Sequence, residues 1–122
     1  MPAIEEKEES QPTKESEGDR ELEDEMAKLL LYLQQGVVLG DYAEALHIPE
    51  RKLSVFINST YGVSFKRWVN NKRVEYATEQ MAKHPDYTME RIAELSGFAH
   101  KSHFCKIFRE ITGGSFTEYK NR

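Results

Sequence analysis

At 122 residues the chain has room for one domain, or two very small ones, with a limited core. No apolar run approaches the roughly 20 residues of a membrane span, no cationic start leads into an apolar stretch as in a secretory signal, and the lone Cys105 has no partner for an internal disulfide, so reducing, cytoplasmic surroundings are expected. The net charge of −4 averages two unlike regions: residues 1–25 hold eleven acids and three bases, whereas residues 26–122 hold fourteen bases and ten acids.

Residues 1–20 are acidic, polar and almost without large apolar groups. Such a segment cannot bury enough surface to offset its ordering entropy, so it is expected to be a disordered leader or linker, with helix beginning near Asp19 or Glu21. A sharper reading makes it a negative strip that competes with an anionic ligand for the basic remainder.

From there the chain reads as helix throughout. "MAKLLLYLQQG" places Met26, Leu29, Leu30 and Leu33 at the i, i+3, i+4, i+7 spacing of one helical face, with Gly36 as its stop. "LGDYAEALH" predicts a short helix with Leu39, Tyr42, Ala43 and Leu46 inward. "PERKLSVFINSTYG" follows, with Leu53, Phe56, Ile57 and Tyr61 inward and Gly62 as its end. Ser64 can cap a long helix over about Phe65 to Lys83, after which Pro85 breaks the chain. Along it, Phe65, Trp68 and Val69 are expected to pack to one side, and Tyr76, Ala77 and Met81 to the other, with a polar strut "NNKR" between. "TMERIAELSG" is a short helix capped by Thr88 and stopped by Gly97; "HKSHFCKIFREITG" turns Phe104, Ile107, Phe108 and Ile111 inward; "SFTEYKNR" opens with Ser115 and Glu118 at capping-box spacing. No stretch alternates with period two long enough to suggest a sheet.

The chain repeats itself. "YGVSFKRW" and "TGGSFTEY" match at an offset of 51, and Leu53, Phe56 and Ile57 match Phe104, Ile107 and Phe108 at the same offset. Upstream the offset falls to 50, pairing Ala43-Glu44 with Ala93-Glu94, so the second copy has one extra residue in its turn. Each copy reads as short helix, tight turn, longer helix. The small Ala43 or Ala93 lets the second helix cross closely. The residue four further on needs a positive φ, which Gly97 supplies directly and His47 less readily.

Residues from about Met26 to Arg122 resemble the DNA-binding domain of the AraC family of bacterial transcription regulators. The resemblance rests on "YAEALHIPERKLSVFINSTYGVSFKRWVNNKRVEYA" and on "TMERIAELSGFAHKSHFCKIFREITGGSFTEY", the second being the more specific. It implies an all-α fold of about seven helices. Residues 21–64 would form a first helix-turn-helix lobe, 65–83 a linker helix and 84–122 a second lobe, the two recognition helices entering successive major grooves of double-stranded DNA. A helix of about 19 residues is roughly 28 Å long, comparable to the about 34–36 Å between grooves on one DNA face.

On the second recognition helix the outer positions are His100, Lys101, Ser102, His103 and Lys106; the resemblance implies that Lys101, Ser102, His103 and Lys106 face bases or phosphates. On the first, the matching positions include Arg51, Lys52, Ser54 and Val55, with Arg51 the best candidate for guanine. Val55 departs from the arginine that many family members carry there; it can meet a thymine methyl, or that head reads little. Phosphate contacts are expected from Ser64 and Ser115 at helix starts and from Lys66, Arg67 and Lys120. Arg73 stays open between a surface pair with Glu79, a DNA-side role and helix packing. The resemblance also implies RNA polymerase as a partner and a sensor or dimerisation domain beyond this chain, with a cytoplasmic, nucleoid-associated location, or a tethered one if the longer protein has a membrane segment.

Rival readings are weaker. Exposed cations on a helix are ordinarily just solvated. His100, His103 and Cys105 do not converge, because a helix sends positions 103 and 105 to different faces, so no metal or cofactor is expected. No nucleophile elbow, phosphate-cradling glycine loop or paired acids suggest an enzyme. The remaining alternative is a protein-interaction module that uses the same lobes without reading DNA.

Overall fold

The computed structural model describes residues 14–121, with side chains from Gly18 onward, and the expectation for residues 1–13 lies outside that range. The elements are α1 (Lys14–Lys28), a single 3-10 turn (Leu31–Leu33), α2 (Leu39–Leu46), α3 (Glu50–Tyr61), α4 (Phe65–Lys83), α5 (Met89–Leu95), α6 (Lys101–Thr112) and α7 (Phe116–Lys120). The fold is all-α: seven α-helices and no strand among the described residues.

The sequence repeat is reproduced bond by bond. In the first copy the Ile48 N–H donates to the Ala43 carbonyl at 3.0 Å; in the second the Phe98 N–H donates to the Ala93 carbonyl at 3.1 Å. These bonds close the turns α2–α3 and α5–α6 around the two positive-φ residues, His47 (φ 61°) and Gly97 (φ 92°). Fifty-one residues apart, Gly62 and Gly113 end α3 and α6 in the left-handed region, each donating its N–H at 2.9 Å to the carbonyl four residues back. Each copy then restarts on a serine cap. The Ser64 hydroxyl accepts the Arg67 N–H, and the Ser115 hydroxyl accepts the Glu118 N–H while the Glu118 carboxylate accepts the Ser115 N–H.

Two cores result. The first gathers Met26, Tyr32, Tyr42, Ala43, Leu53, Phe56, Ile57, Trp68 and Val69; the second gathers Val74, Ala77, Ile92, Ala93, Phe98, Phe104, Ile107, Phe108 and Phe116. Trp68 anchors the first, with Tyr42 edge-on at 5.4 Å and Tyr32, Tyr61 and Phe65 also against it. The second is a cluster of phenylalanines, Phe104 tilted against Phe108 at 5.5 Å, with Tyr119 edge-on to Phe108.

Three expectations are corrected. Helix α1 starts at Lys14, so residues 14–20 are helical rather than part of a disordered leader. The "MAKLLLYLQQG" segment is not one helix: α1 ends at Lys28, Leu30 is 55% exposed, and a 3-10 turn follows. The cause is Tyr42, whose hydroxyl accepts the Tyr32 N–H at 3.0 Å and donates to the Leu29 carbonyl at 3.4 Å. These bonds replace the helical ladder where leucines on both sides of Tyr32 would satisfy more than one register. Tyr76 packs against the first core, not the second. In the polar strut at the middle of α4, Asn70 and Arg73 are buried.

Arg73 explains how the lobes are held. Its Nε donates to the Tyr32 carbonyl at 2.6 Å and one terminal nitrogen to the Gln34 carbonyl at 2.9 Å, while its guanidinium lies 5.4 Å from the centre of the Phe98 ring. One side chain on the linker helix thus grips the first lobe's 3-10 turn and the second lobe's core. Gly97 touches the same turn. A β-carbon there would lie 2.9 Å from the carbonyl oxygens of Tyr32 and Leu33. The helix-turn-helix glycine of the second lobe therefore serves two needs at once, a left-handed φ and a direct seat against the first lobe.

Candidate nucleic-acid interface

Both second helices bury one face and leave the other to solvent. On α3, Leu53, Phe56 and Ile57 are buried, while Arg51, Lys52 and Val55 are exposed and Ser54 is half-buried; Val55 is 61% exposed. Asn58 bends back, its amide donating to the Ser54 carbonyl at 3.0 Å. On α6, Phe104, Ile107 and Phe108 are buried, while Lys101, Ser102, His103 and Lys106 are exposed and His100 sits exposed at the N-cap.

The outward residues are not equivalent. Lys101 is engaged: its ammonium lies 3.0 Å from Glu90 on α5. The hydrogen bond from Lys101 pulls the Glu90 carboxyl below its ordinary range and lifts the lysine in turn. Both groups are fully exposed, so the pair orients Lys101 more than it stabilises the fold. Arg67 faces Glu110 of α6 at 3.9 Å, a loose tie between linker and second lobe. Lys120 reaches back to the Tyr87 carbonyl at 3.5 Å and lies over the Phe116 ring at 6.0 Å. Ser64 and Ser115 both spend their oxygens as helix caps, although their hydroxyl protons can still donate.

Three surface hollows group these residues differently from their order in sequence. Lys66 and His103, from linker and second lobe, line one cleft of about 420 Å³ between the lobes, with Arg73 in the same wall. Lys52 and Val55 line a groove of about 610 Å³ shared with Asp19, Glu21, Leu22 and Glu25 of α1. Lys106 and Ser115 share a hollow with Arg109, an exposed cation that the spacing argument passed over although it lies one turn beyond Lys106.

Burial first, then the neighbouring cations Lys66, Arg73, Lys106 and His100, hold the His103 imidazole below the ordinary histidine value. Its ring meets Phe98 edge-on at 5.5 Å. Cys105 is half-buried, with its thiol 3.3 Å from the Met89 sulfur. Among the described residues no three His, Cys, Asp or Glu side chains are grouped to hold a metal, and no helix is long and apolar enough to cross a membrane.

Comparison with known proteins agrees with this frame. Regulatory protein PocR of Salmonella typhimurium is 30% identical over 105 residues, which is 83% of this chain but 34% of PocR, so the chain spans about a third of that relative's length. The C-terminal domain of AraT, a response regulator from Geobacillus stearothermophilus, superposes with a TM-score of 0.72 at 25% identity, over 84% of this chain and 83% of that one. The DNA-binding domain of AdpA, a global transcriptional factor solved in complex with a target DNA, has a TM-score of 0.69 at 22% identity, covering 82% and 89% of the two chains, and speaks for the fold. A family model described as a helix-turn-helix domain matches residues 42–122, both recognition helices included, and the chain belongs to this AraC-type helix-turn-helix family.

Proposed function

We propose that this chain is the DNA-reading domain of a transcription regulator, binding double-stranded DNA sequence-specifically through α3 and α6 in successive major grooves. The observation that carries the reading is the doubled frame. Two helix-turn-helix units share the same turn bonds and caps, each with an outward face that the core does not use, and Arg73 and Gly97 lock them in one relative orientation. The AdpA complex and the regulator PocR support it by kinship.

In this reading Arg51, Lys52, Ser54 and Val55 form the first head, and His100, Lys101, Ser102, His103 and Lys106 the second. Ser64, Lys66, Arg67, Ser115 and Lys120 hold phosphates. Arg51 and Lys101 donate to guanine, and Val55 meets a thymine methyl. RNA polymerase as a partner, a sensor or dimerising domain outside these residues, and a cytoplasmic, nucleoid-associated location go with the same reading. The work is binding, not catalysis.

The test is selection of bound duplexes from a random pool, followed by titration of the selected site against salt. Log K should fall by about 0.9 per phosphate contacted for each log unit of salt. Failure to enrich any sequence, together with binding of protein partners that ignores salt, would favour the protein-interaction module instead.

A further inference from the structure

The cleft between the lobes has a composition unlike the rest of the surface. Its rim and walls are Val37, Val38, Phe65 and Ala99 with Lys66 and His103, and no acid lines it. Val38 is 57% exposed at that rim. Among the described residues neither the Lys66 ammonium nor the His103 imidazole has a hydrogen-bond or ion-pair partner, and the His103 ring meets Phe98 edge-on. Arg73 adds a fixed positive charge to the lining, immobilised by its two carbonyl bonds. Two unengaged donors, one from α4 and one from the reading face of α6, thus share one cleft with a fixed cation and small apolar groups.

That combination suits one occupant. A deoxyribose-phosphate backbone has apolar sugar carbons for Val38 and Ala99 and anionic oxygens for Lys66 and His103. Because His103 belongs both to this cleft and to the outer face of α6, the cleft opens where a duplex held by α6 would pass on its way to α3. We propose that the cleft seats the DNA backbone between the two major grooves, with Lys66 and His103 as its phosphate donors. The inference rests on the DNA-binding reading and reassigns His103 from base reading to backbone clamping.

A consequence is proton linkage. In the free protein burial and cations disfavour the imidazolium: Lys66 and Arg73 from α4, His100 and Lys106 from α6. On α6 Glu110 faces Arg67, on α4 Glu75 faces Lys72, and on the neighbouring helices Glu90 meets Lys101 and Asp41 accepts the Val38 N–H. A phosphate in the cleft reverses the balance and raises the imidazole's proton affinity, so DNA binding takes up a proton. Affinity therefore rises as pH falls through the bound-state value and levels off below the free-state value.

The experiment measures affinity for a selected duplex from about pH 7.5 to about pH 6.0, alongside the NMR titration of His103. Wild type should tighten by about three- to tenfold, tenfold corresponding to one unit of pKa shift. His103→Gln, which keeps a hydrogen-bond donor but cannot titrate, should bind with a flat pH profile, and Lys66→Ala should lower the salt slope by about 1. A duplex with a single uncharged methylphosphonate in the spacer between the two half-sites should abolish the pH dependence. The His103 resonance should shift its titration with the intact duplex and not with inorganic phosphate alone; an equal shift with inorganic phosphate would make the cleft a small-anion site and overturn the backbone assignment. A wild-type profile that is flat, or a His103→Gln profile as steep as wild type, overturns it too while leaving DNA binding intact. Absence of any DNA binding would instead refute the underlying reading.

Discussion

The Nε of Arg73 donates to the backbone carbonyl of Tyr32 at 2.6 Å across 41 residues of sequence, and this bond joins the linker helix to the turn on which the second lobe rests. A charged donor on a neutral carbonyl is among the stronger hydrogen bonds, and its loss leaves the buried partner unsatisfied. Arg73→Met should therefore destabilise the domain by about 2–3 kcal/mol in urea unfolding. Arg73→Lys should recover only part of this, because an ammonium cannot reach the Tyr32 and Gln34 carbonyls with the same planar fork. A variant as stable as wild type would show that the lobes do not depend on this grip.

Gly97 and Gly62 separate backbone strain from lobe packing. Both have a positive φ, but a β-carbon on Gly62 meets open space while one on Gly97 strikes two carbonyl oxygens at 2.9 Å. Gly62→Ala should cost about 1–2 kcal/mol, the usual left-handed penalty. Gly97→Ala should cost clearly more and should also weaken DNA binding, because the second lobe must shift against the first. Equal losses in thermal unfolding would mean that the lobe contact contributes nothing.

His47 occupies the equivalent turn at φ 61° with a full side chain. His47→Gly relieves the left-handed strain but loosens the unfolded chain, so a gain of up to about 1 kcal/mol is expected. A loss on substitution would reveal an interaction of the exposed imidazole that outweighs the strain.

Lys101 cannot donate fully to a base while Glu90 holds it. Glu90→Gln should tighten binding a few-fold at low salt with little change in melting temperature, since the exposed pair adds little to stability. Lys101→Ala and Arg51→Ala should each cost about 1–3 kcal/mol on the selected site and relax base preference there. Unchanged discrimination between selected and random duplexes in both would displace the two heads from the positions assigned to them. The Glu90 carboxyl lies below the ordinary range, so the pair persists until pH falls through that lowered value and is lost beneath it.

The acids of α1 stand across a groove from Lys52 and Val55 of the first reading helix. Neutralising Asp19, Glu21 and Glu25 as amides keeps the helix and removes the repulsion a phosphate would meet. Affinity should rise at low salt, and the gain should fade as the Debye length shrinks to about 8 Å at physiological ionic strength. A gain that persists unchanged at high salt would point to a steric cause.

How much of this was legible beforehand differs by element. Ser64, Thr88 and Ser115 as caps, Gly62 as a stop, and the inward faces of α3 and α6 lay open in the sequence, because caps and periodicity act within one or two turns of chain. Even the left-handed His47 could be inferred from its alignment with Gly97. The outward positions of both reading helices were legible for the same reason, as the complement of the buried ones. Which of those cations are engaged was not: Lys101 meets Glu90 eleven residues away, and Lys120 meets the Tyr87 carbonyl 33 residues away.

The amino-acid order by itself determined the duplicated helix-turn-helix and the residues each copy turns outward, since these follow from local spacing and backbone preference. Tertiary structure alone decided that α1 breaks at Lys28, that Arg73 turns into the protein, and that Lys66 and His103 share a cleft. In each case the choice fell to hydrogen bonds and close packing between segments ten or more residues apart.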